Sequence, residues 1–227
     1  MKVPASAFLH SAPDTVPPRA GIPRWAECIF ALLLLLLLFF PMLLLALVIC
    51  LDSRGSALFR QLRLGRHGRP FTLWKFRTMV VNAESRGPAL TAWGDSRITR
   101  LGAWLRNIHC DEWPQLWNIL LGEMRFVGPR PELLANLPVI SRELLCLTPG
   151  LTSPASLAYR HESRLLASLP SAERERFYLE ILLPRKQQMD LAYERHRTLR
   201  GDLKLLLLTL ISPLLPASAT LVEQLPV

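Results

Sequence analysis

The chain has 227 residues and a mass of 25.7 kDa, room for one medium domain or for a small domain with an anchor. Half of its residues are hydrophobic and a fifth are charged, which excludes wholesale disorder. The formal charge is +9, and residues 54–106 carry that excess. Arg54, Arg60, Arg63, Arg66, Arg69, Lys75, Arg77, Arg86, Arg97, Arg100 and Arg106 stand there against Glu84 and Asp95 alone. Such a segment calls for an anionic partner: a phosphate-bearing substrate, a lipid surface or nucleic acid. The scattered cysteines Cys28, Cys50, Cys110 and Cys146 form no Cys-x-x-Cys pair. That argues against a zinc site or a disulfide scaffold and fits a reducing compartment.

In chain order, residues 1–23 contain Pro4, Pro13, Pro17, Pro18 and Pro23 and read as a disordered leader. Cys28 to Leu51 is free of charge and dominated by leucine. As one straight helix it would reach about 36 Å, against a hydrocarbon core of about 30 Å. Membrane insertion follows from that length; topology does not. Pro41 lies near the middle, where it removes a helical hydrogen bond and bends the chain. A kinked span satisfies this pattern. So does a re-entrant hairpin with both ends on the cytoplasmic side, since Arg19 and Arg24 precede the run and Arg54 follows it.

Beyond Leu51 the pattern turns soluble. Alternation around Gly65, Gly68 and Pro70, then Phe71-Thr72-Leu73-Trp74-Lys75-Phe76, predicts one or two short strands. Helices are predicted over Ile98–Asn107 and over Pro114–Leu121, the second closed by Gly122. Another runs from Ser171 to about Leu183, is interrupted at Pro184 and continues to about Arg200. Leu203–Leu215 is apolar but too short to span, so it is a packing or interfacial element.

Three motifs bear chemistry. Asp111-Glu112 is an adjacent carboxylate pair just ahead of a helix start. Keeping both ionised requires a nearby cation, an arginine or a divalent metal. A hard ion such as Mg2+, shared with substrate phosphates, suits this setting better than zinc. Acids that only complement the helix dipole are the plainer reading of the same pair. Gly128-Pro129-Arg130-Pro131 presents one guanidinium from a stiff turn, a geometry fit for phosphate. Lys75-Phe76-Arg77-Thr78, at strand spacing, turns two cations to one face, and with the Thr78 hydroxyl these could grip a diphosphate. A solvated strand face is the commoner outcome for such a tetrapeptide.

Taken in order, these pieces resemble the bacterial sugar transferase family, the monotopic polyprenyl-phosphate phosphoglycosyl transferases, in its short form. The resemblance runs from about Arg24 to about Leu210. It rests on the apolar run with Pro41, Gln61-Leu62-Arg63-Leu64-Gly65, Gly68-Arg69-Pro70-Phe71, Lys75-Phe76-Arg77-Thr78-Met79, Asp111-Glu112-Trp113-Pro114-Gln115-Leu116, Val127-Gly128-Pro129-Arg130-Pro131 and Pro149-Gly150-Leu151-Thr152. It implies an α+β, mostly helical fold with a re-entrant membrane helix over 24–51, bent at Pro41. A cytoplasmic or interfacial catalytic domain with short strands would fill 52–215, and 216–227 would be a tail.

The resemblance further implies Asp111 as nucleophile, Glu112 as a ligand of Mg2+ and Arg106 as the group that orients and neutralises. Lys75, Arg77, Thr78, Gln115 and Arg130 would contact substrate. The substrates would be a nucleoside diphosphate sugar, with uridine as the base, and polyprenyl phosphate at the bacterial inner membrane. The reaction would pass through an aspartyl-phosphosugar intermediate and open a surface-glycan pathway. The sequence departs from the family's usual pattern at His109-Cys110, Trp113, Phe40, Arg125, Trp25-Ala26-Glu27 and Ser153-Pro154-Ala155-Ser156-Leu157. Two other functions compete. One is a non-catalytic membrane adaptor using the basic segment to hold anionic lipid or a partner. The other is nucleic-acid binding, against which stand the leucine-rich insert and the lack of a recognised binding motif.

Overall fold

A computed structural model describes residues 21–88 and 90–214. Most of the expected leader and all of the expected tail lie outside the described residues.

The apolar run forms α1 (Arg24–Asp52), an unbroken helix with Pro41 inside it. It is long and apolar enough to cross a membrane, and the rest of the described protein covers little of it. Large side chains such as Leu33, Leu36, Leu37, Phe40 and Leu44 are exposed along it. Its two ends, and patches on both sides of Pro41, nevertheless rest on one body. Ala31, Leu34, Leu35 and Leu38 join a core with Phe71, Leu73, Ile119, Phe126 and Leu205. Met42, Leu45, Ala46 and Ile49 join a smaller one with Phe76, Leu105 and Cys110.

Polar side chains fix each end. At the start, Glu27 is 0% exposed and accepts from Arg125 Nε at 3.0 Å and from the Phe126 backbone N–H at 3.2 Å. Glu27 and Arg125, read from the sequence as departures from the pattern of the family it resembles, pair with each other. Arg24 donates to the carbonyls of Met124 and Ile119, the second in the last turn of a neighbouring helix, where it also accepts from the Gly122 N–H. At the far end, Arg77 donates to the carbonyls of Ile49 at 3.2 Å and Ser53 at 2.6 Å, and to the Ser53 hydroxyl at 3.0 Å. A cation is well placed at the negative end of the helix dipole.

β1 (Leu58–Leu64) and β2 (Pro70–Phe76) form an antiparallel hairpin, with Leu58 opposite Phe76 and Leu64 opposite Pro70. The turn needs left-handed backbone at His67 and Gly68, the second supplied without strain by glycine. On β2, Phe71 and Leu73 face the core, and strand period two puts Lys75 on that same inward side. β3 (Arg125–Val127) and β4 (Gly150–Thr152) pair in parallel. Their meeting point is tight: a Cβ on Gly150 would lie 2.2 Å from the Gly128 nitrogen, so only glycine fits.

The helices are α2 (Arg100–Asn107), α3 (Gln115–Leu121), α4 (Arg142–Leu145), α5 (Pro154–Ala158), α6 (Glu162–Ala167), α7 (Ser171–Phe177), α8 (Leu183–Arg195) and α9 (Leu199–Ile211). Gly122 closes α3 with φ of 91°, as the sequence predicts. The expected break at Pro184 is instead a π-helical turn, Tyr178–Leu182, which leads into α8. Pro184 then occupies the first turn of α8, directly after the π-helical turn. α9 buries Leu205 and Leu208 and exposes Leu203, Leu207 and Leu210. The observed class, α+β and mostly helical with two small sheets, matches the expectation.

The anchor contact yields a test. Arg125→Ser leaves Glu27 buried with weaker compensation and is expected to destabilise the detergent-solubilised protein by about 3 kcal/mol. Adding Glu27→Gln to that variant should recover at least half of the loss, as read by thermal unfolding of the two single variants and the double.

Candidate active site

Asp111 and Glu112 sit in a single 3-10 turn, Cys110–Glu112, between α2 and α3. His109 enters that turn with φ of 58°, so the backbone reverses just before the acidic pair. Cys110 packs inward against Leu105, Phe76 and Ile49. Burial, with Asp111 adding to it, pushes its thiol up to about 11, leaving it uncharged at neutral pH and unfit as a nucleophile.

The two carboxylates experience different surroundings. Glu112 accepts from Lys75 Nζ at 3.1 Å and pairs with Arg130. Burial alone would raise its pKa, but the charges of Arg130 and Lys75 prevail and hold it well below the ordinary carboxylate range. Asp111 is 7% exposed. Burial first, then the Glu112 charge, raise its pKa, with Lys75, Arg106 and Arg130 only partly opposing them. One acid is thus pinned as an anion while its neighbour is held in tension.

Several backbone contacts fix the cations. Lys75 reaches Glu112 because it shares the inward face of β2. Arg130 projects from a turn clamped on three sides: Gly128 N–H donates to the Thr152 carbonyl, Gly150 N–H to the Pro129 carbonyl, and Arg63 Nη1 to the Pro131 carbonyl at 3.2 Å. Arg106, near the end of α2, donates through Nε to the Thr78 hydroxyl at 2.8 Å, and its charge acts on Asp111. Thr78 is placed by the Thr99 N–H bond to its carbonyl, 3.0 Å. A Cβ on Gly102 would come within 2.0 Å of that carbonyl oxygen, so a glycine there brings α2 close enough for Arg106 to bond Thr78.

The sequence candidates therefore divide. Lys75, Arg106, Asp111, Glu112, Thr78 and Arg130 are linked around the acidic turn by hydrogen bonds or by charge. Gln115 lies in the first turn of α3, is buried, and its Nε2 has no hydrogen-bond partner within the described protein. Arg77 is not brought to the turn. It lies past the end of β2, and its guanidinium is occupied by the carbonyls at the end of α1. The picture of Lys75 and Arg77 gripping a diphosphate from one face is corrected accordingly. Sequence reasoning passed over Arg63, Gly102 and the Arg97 fork, which holds Asp95 at 2.7 Å and the carbonyls of Ala83 and Pro88. The density of arginines in 54–106 pointed toward the two arginines, and nothing in the sequence pointed to Gly102.

Among the described residues no cluster of three or more His, Cys, Asp or Glu side chains stands ready for a metal. Glu112 Oε1 is taken by Lys75 and Arg130. What remains is a two-carboxylate edge, the kind of site at which Mg2+ keeps waters and binds together with substrate phosphates.

The family described as bacterial sugar transferase matches residues 19–215. The chain belongs to the bacterial sugar transferase family. It is 38% identical over 131 residues to a Bacillus subtilis (strain 168) protein provisionally named an undecaprenyl-phosphate N-acetylgalactosaminyl 1-phosphate transferase, covering 58% of this chain and 71% of that one. It is 40% identical over 136 residues to a UDP-glucose:undecaprenyl-phosphate glucose-1-phosphate transferase of Caulobacter vibrioides, covering 59% of this chain and 51% of that one. A Klebsiella pneumoniae protein of the same name is 30% identical over 185 residues, 78% of this chain and 37% of that one. The chain thus spans about half or less of the length of some curated relatives it matches.

The pKa shifts fix the direction of a stability test. Asp111 is raised, so its contribution is favourable while protonated and is lost as pH rises through the folded-state pKa. Asp111→Asn is expected to raise stability at pH 7, and by less at pH 4. Glu112 is depressed, so its contribution is complete above its unfolded pKa and is lost as pH falls. Glu112→Gln should lower stability at pH 7. Denaturant titrations at the two pH values read both signs.

Proposed function

We propose that the protein moves a sugar 1-phosphate from a uridine diphosphate sugar to a polyprenyl phosphate at the cytoplasmic face of a bacterial inner membrane, as the first step of a surface-glycan pathway. Membership of the family makes it a transferase of the sugar-phosphate type. The single observation that supports the mechanism is the asymmetry of the carboxylate pair, with Glu112 neutralised by two cations and Asp111 left under strain.

In the first step an Asp111 oxygen attacks the β-phosphorus of the donor. The bond from that phosphorus to the bridging oxygen breaks, uridine monophosphate leaves, and an acyl phosphate carrying the sugar forms on Asp111. Attack consumes the Asp111 charge, so its repulsion with Glu112 falls as the new bond forms. A cost present in the ground state is thereby relieved in the transition state. Arg106 and Arg130 offset charge developing on the phosphoryl oxygens. In the second step an oxygen of polyprenyl phosphate attacks the same phosphorus, the bond from phosphorus to the Asp111 oxygen breaks, and Asp111 returns as a carboxylate. The product is a polyprenyl diphosphate sugar. Glu112, with Asp111 beside it, would hold Mg2+, whose charge would neutralise the diphosphate of the donor.

The anchor supports the same reading. A straight span would place the ends of α1 on opposite sides of a bilayer, whereas Arg24 and Arg77 tie its two ends to one domain. A monotopic, re-entrant placement with both ends on the cytoplasmic side accommodates this and sets the acidic turn near the headgroups, where the lipid phosphate lies.

Purified in detergent with Mg2+ and undecaprenyl phosphate, the protein should release uridine monophosphate from a uridine diphosphate sugar. Asp111→Asn should reduce the rate at least about 10⁴-fold and Arg106→Ala about 10²- to 10³-fold. Wild-type turnover by Asp111→Asn would remove the assigned nucleophile. Inactivity of the wild type across a broad donor panel would return the protein to the role of adaptor.

A further inference from the structure

Five leucines stand on the outside of α9 and of the short turn that follows it. Leu199, Leu203, Leu207, Leu210 and Leu214 are between 45% and 84% exposed. Their steps of four, four, three and four residues align them in one stripe along the helix. The opposite side packs: Leu205 and Leu208 are buried in the core that also holds Ala31, Phe71 and Phe126. The sequence leaves two roles open for this element, packing and interfacial, and the structure gives one to each face. With 13 residues, α9 is about 20 Å long, too short to cross a hydrocarbon core of about 30 Å.

Three observations bear on what covers the stripe. The first is continuity. α9 shares its core with Leu34, Leu35 and Leu38 of α1, the helix whose remaining surface is exposed and apolar enough to enter a bilayer. The second is depth. The Ile22 N–H, two residues ahead of α1, donates to Asp202 in the first turn of α9 at 2.9 Å, so α9 begins level with the start of α1. Trp25, 69% exposed at that level, is the residue type that collects at the boundary between headgroups and acyl chains. The third is charge. Arg200 and Lys204 are exposed, and each follows a stripe leucine by one residue, about 100° further round the helix. Both therefore flank the stripe on the same side. Asp202 does not answer them, because it is 0% exposed and is bound by Arg197 at 2.9 Å and by the Tyr193 hydroxyl at 2.7 Å. A leucine stripe edged by cations with long apolar stems fits an anionic lipid surface.

We propose that α9 is a second membrane contact, lying in the headgroup layer of the leaflet that α1 enters. Leu203, Leu207 and Leu210 reach the acyl chains, and Arg200 and Lys204 take the phosphates of anionic phospholipids. Lipid recognition then lies outside residues 54–106, where the excess of basic residues is concentrated. The contact depends on insertion of α1 and not on the transferase reading.

The test places photoreactive benzoylphenylalanine at position 207 of the full-length protein, held in nanodiscs of equimolar phosphatidylglycerol and phosphatidylcholine. Leu207 is exposed, so the replacement removes no core contact, and thermal unfolding checks that each variant is folded. After illumination the protein should carry lipid adducts by mass, phosphatidylglycerol exceeding phosphatidylcholine at least about fivefold. Adding Arg200→Gln and Lys204→Gln should bring the two lipids to within about twofold of each other while adducts persist. Covalent dimers in place of lipid adducts would assign the stripe to a second copy of this chain, and cross-links into residues 215–227 would assign it to the chain's own C-terminal segment. Either result overturns the proposal, as does the absence of lipid adducts. Equal capture of the two lipids with Arg200 and Lys204 intact overturns the recognition of anionic lipid. No readout here requires turnover, so an inactive protein would remove the transferase reading and leave this contact to stand or fall by itself.

Discussion

Two carboxylates adjacent in sequence share a space that tolerates one charge easily and two only with help. That constraint organises this protein. Glu112 takes both available cations, Lys75 and Arg130, on one oxygen. Asp111, the more buried of the two, receives repulsion from its neighbour and only partly compensating attraction from the same cations and Arg106. Burying such a pair without compensation is costly. Here much of the surrounding architecture maintains it: the inward face of β2 delivers Lys75, the clamped Pro129–Pro131 turn delivers Arg130, and the close packing of α2 on Thr78 delivers Arg106.

The anchor is joined to this arrangement through hydrogen bonds as well as apolar contact. Arg77 immediately follows β2, the strand that carries Lys75, and it holds the carbonyls at the end of α1. The depth of the membrane helix and the position of one site cation are therefore coupled through two residues of chain. At the other end, Glu27 and Arg125 link the start of α1 to β3, which continues directly into the turn bearing Arg130. Both ends of the long apolar helix are thus tied to the elements that carry the acidic turn's cations.

Much of this was legible in the sequence, for identifiable reasons. The leucine run, the hairpin around Gly65 and Gly68, the Gly122 stop and the Asp111-Glu112 pair each depend on local pattern, and local pattern is what a sequence displays. The partners of the pair were less accessible. Lys75 meets Glu112 across 37 positions, and no periodicity announces that distance. Arg77 misled because a strand-face argument assumes that the strand continues, and β2 ends one residue earlier. The pairing of Glu27 with Arg125 was also hidden: each looked like an isolated departure until the fold placed them 3.0 Å apart. Gly102 carried no signal either, since its need arises from a carbonyl of a distant loop. The helical run across Pro184 was read in outline, but α8 stops at Arg195 rather than near Arg200, and the π-helical turn before Pro184 depends on packing of Tyr178 and Leu182.

The account comes down to whether the strained carboxylate forms a bond to phosphorus. The direct measurement is rapid-quench mass analysis of the wild type mixed with Mg2+ and a donor that it turns over, with polyprenyl phosphate withheld. A peptide containing Asp111 that gains the mass of the sugar phosphate, appearing with an equal burst of uridine monophosphate and disappearing when the lipid phosphate is added, is the predicted result. No adduct and no burst, with kinetics that require both substrates bound together, would contradict it.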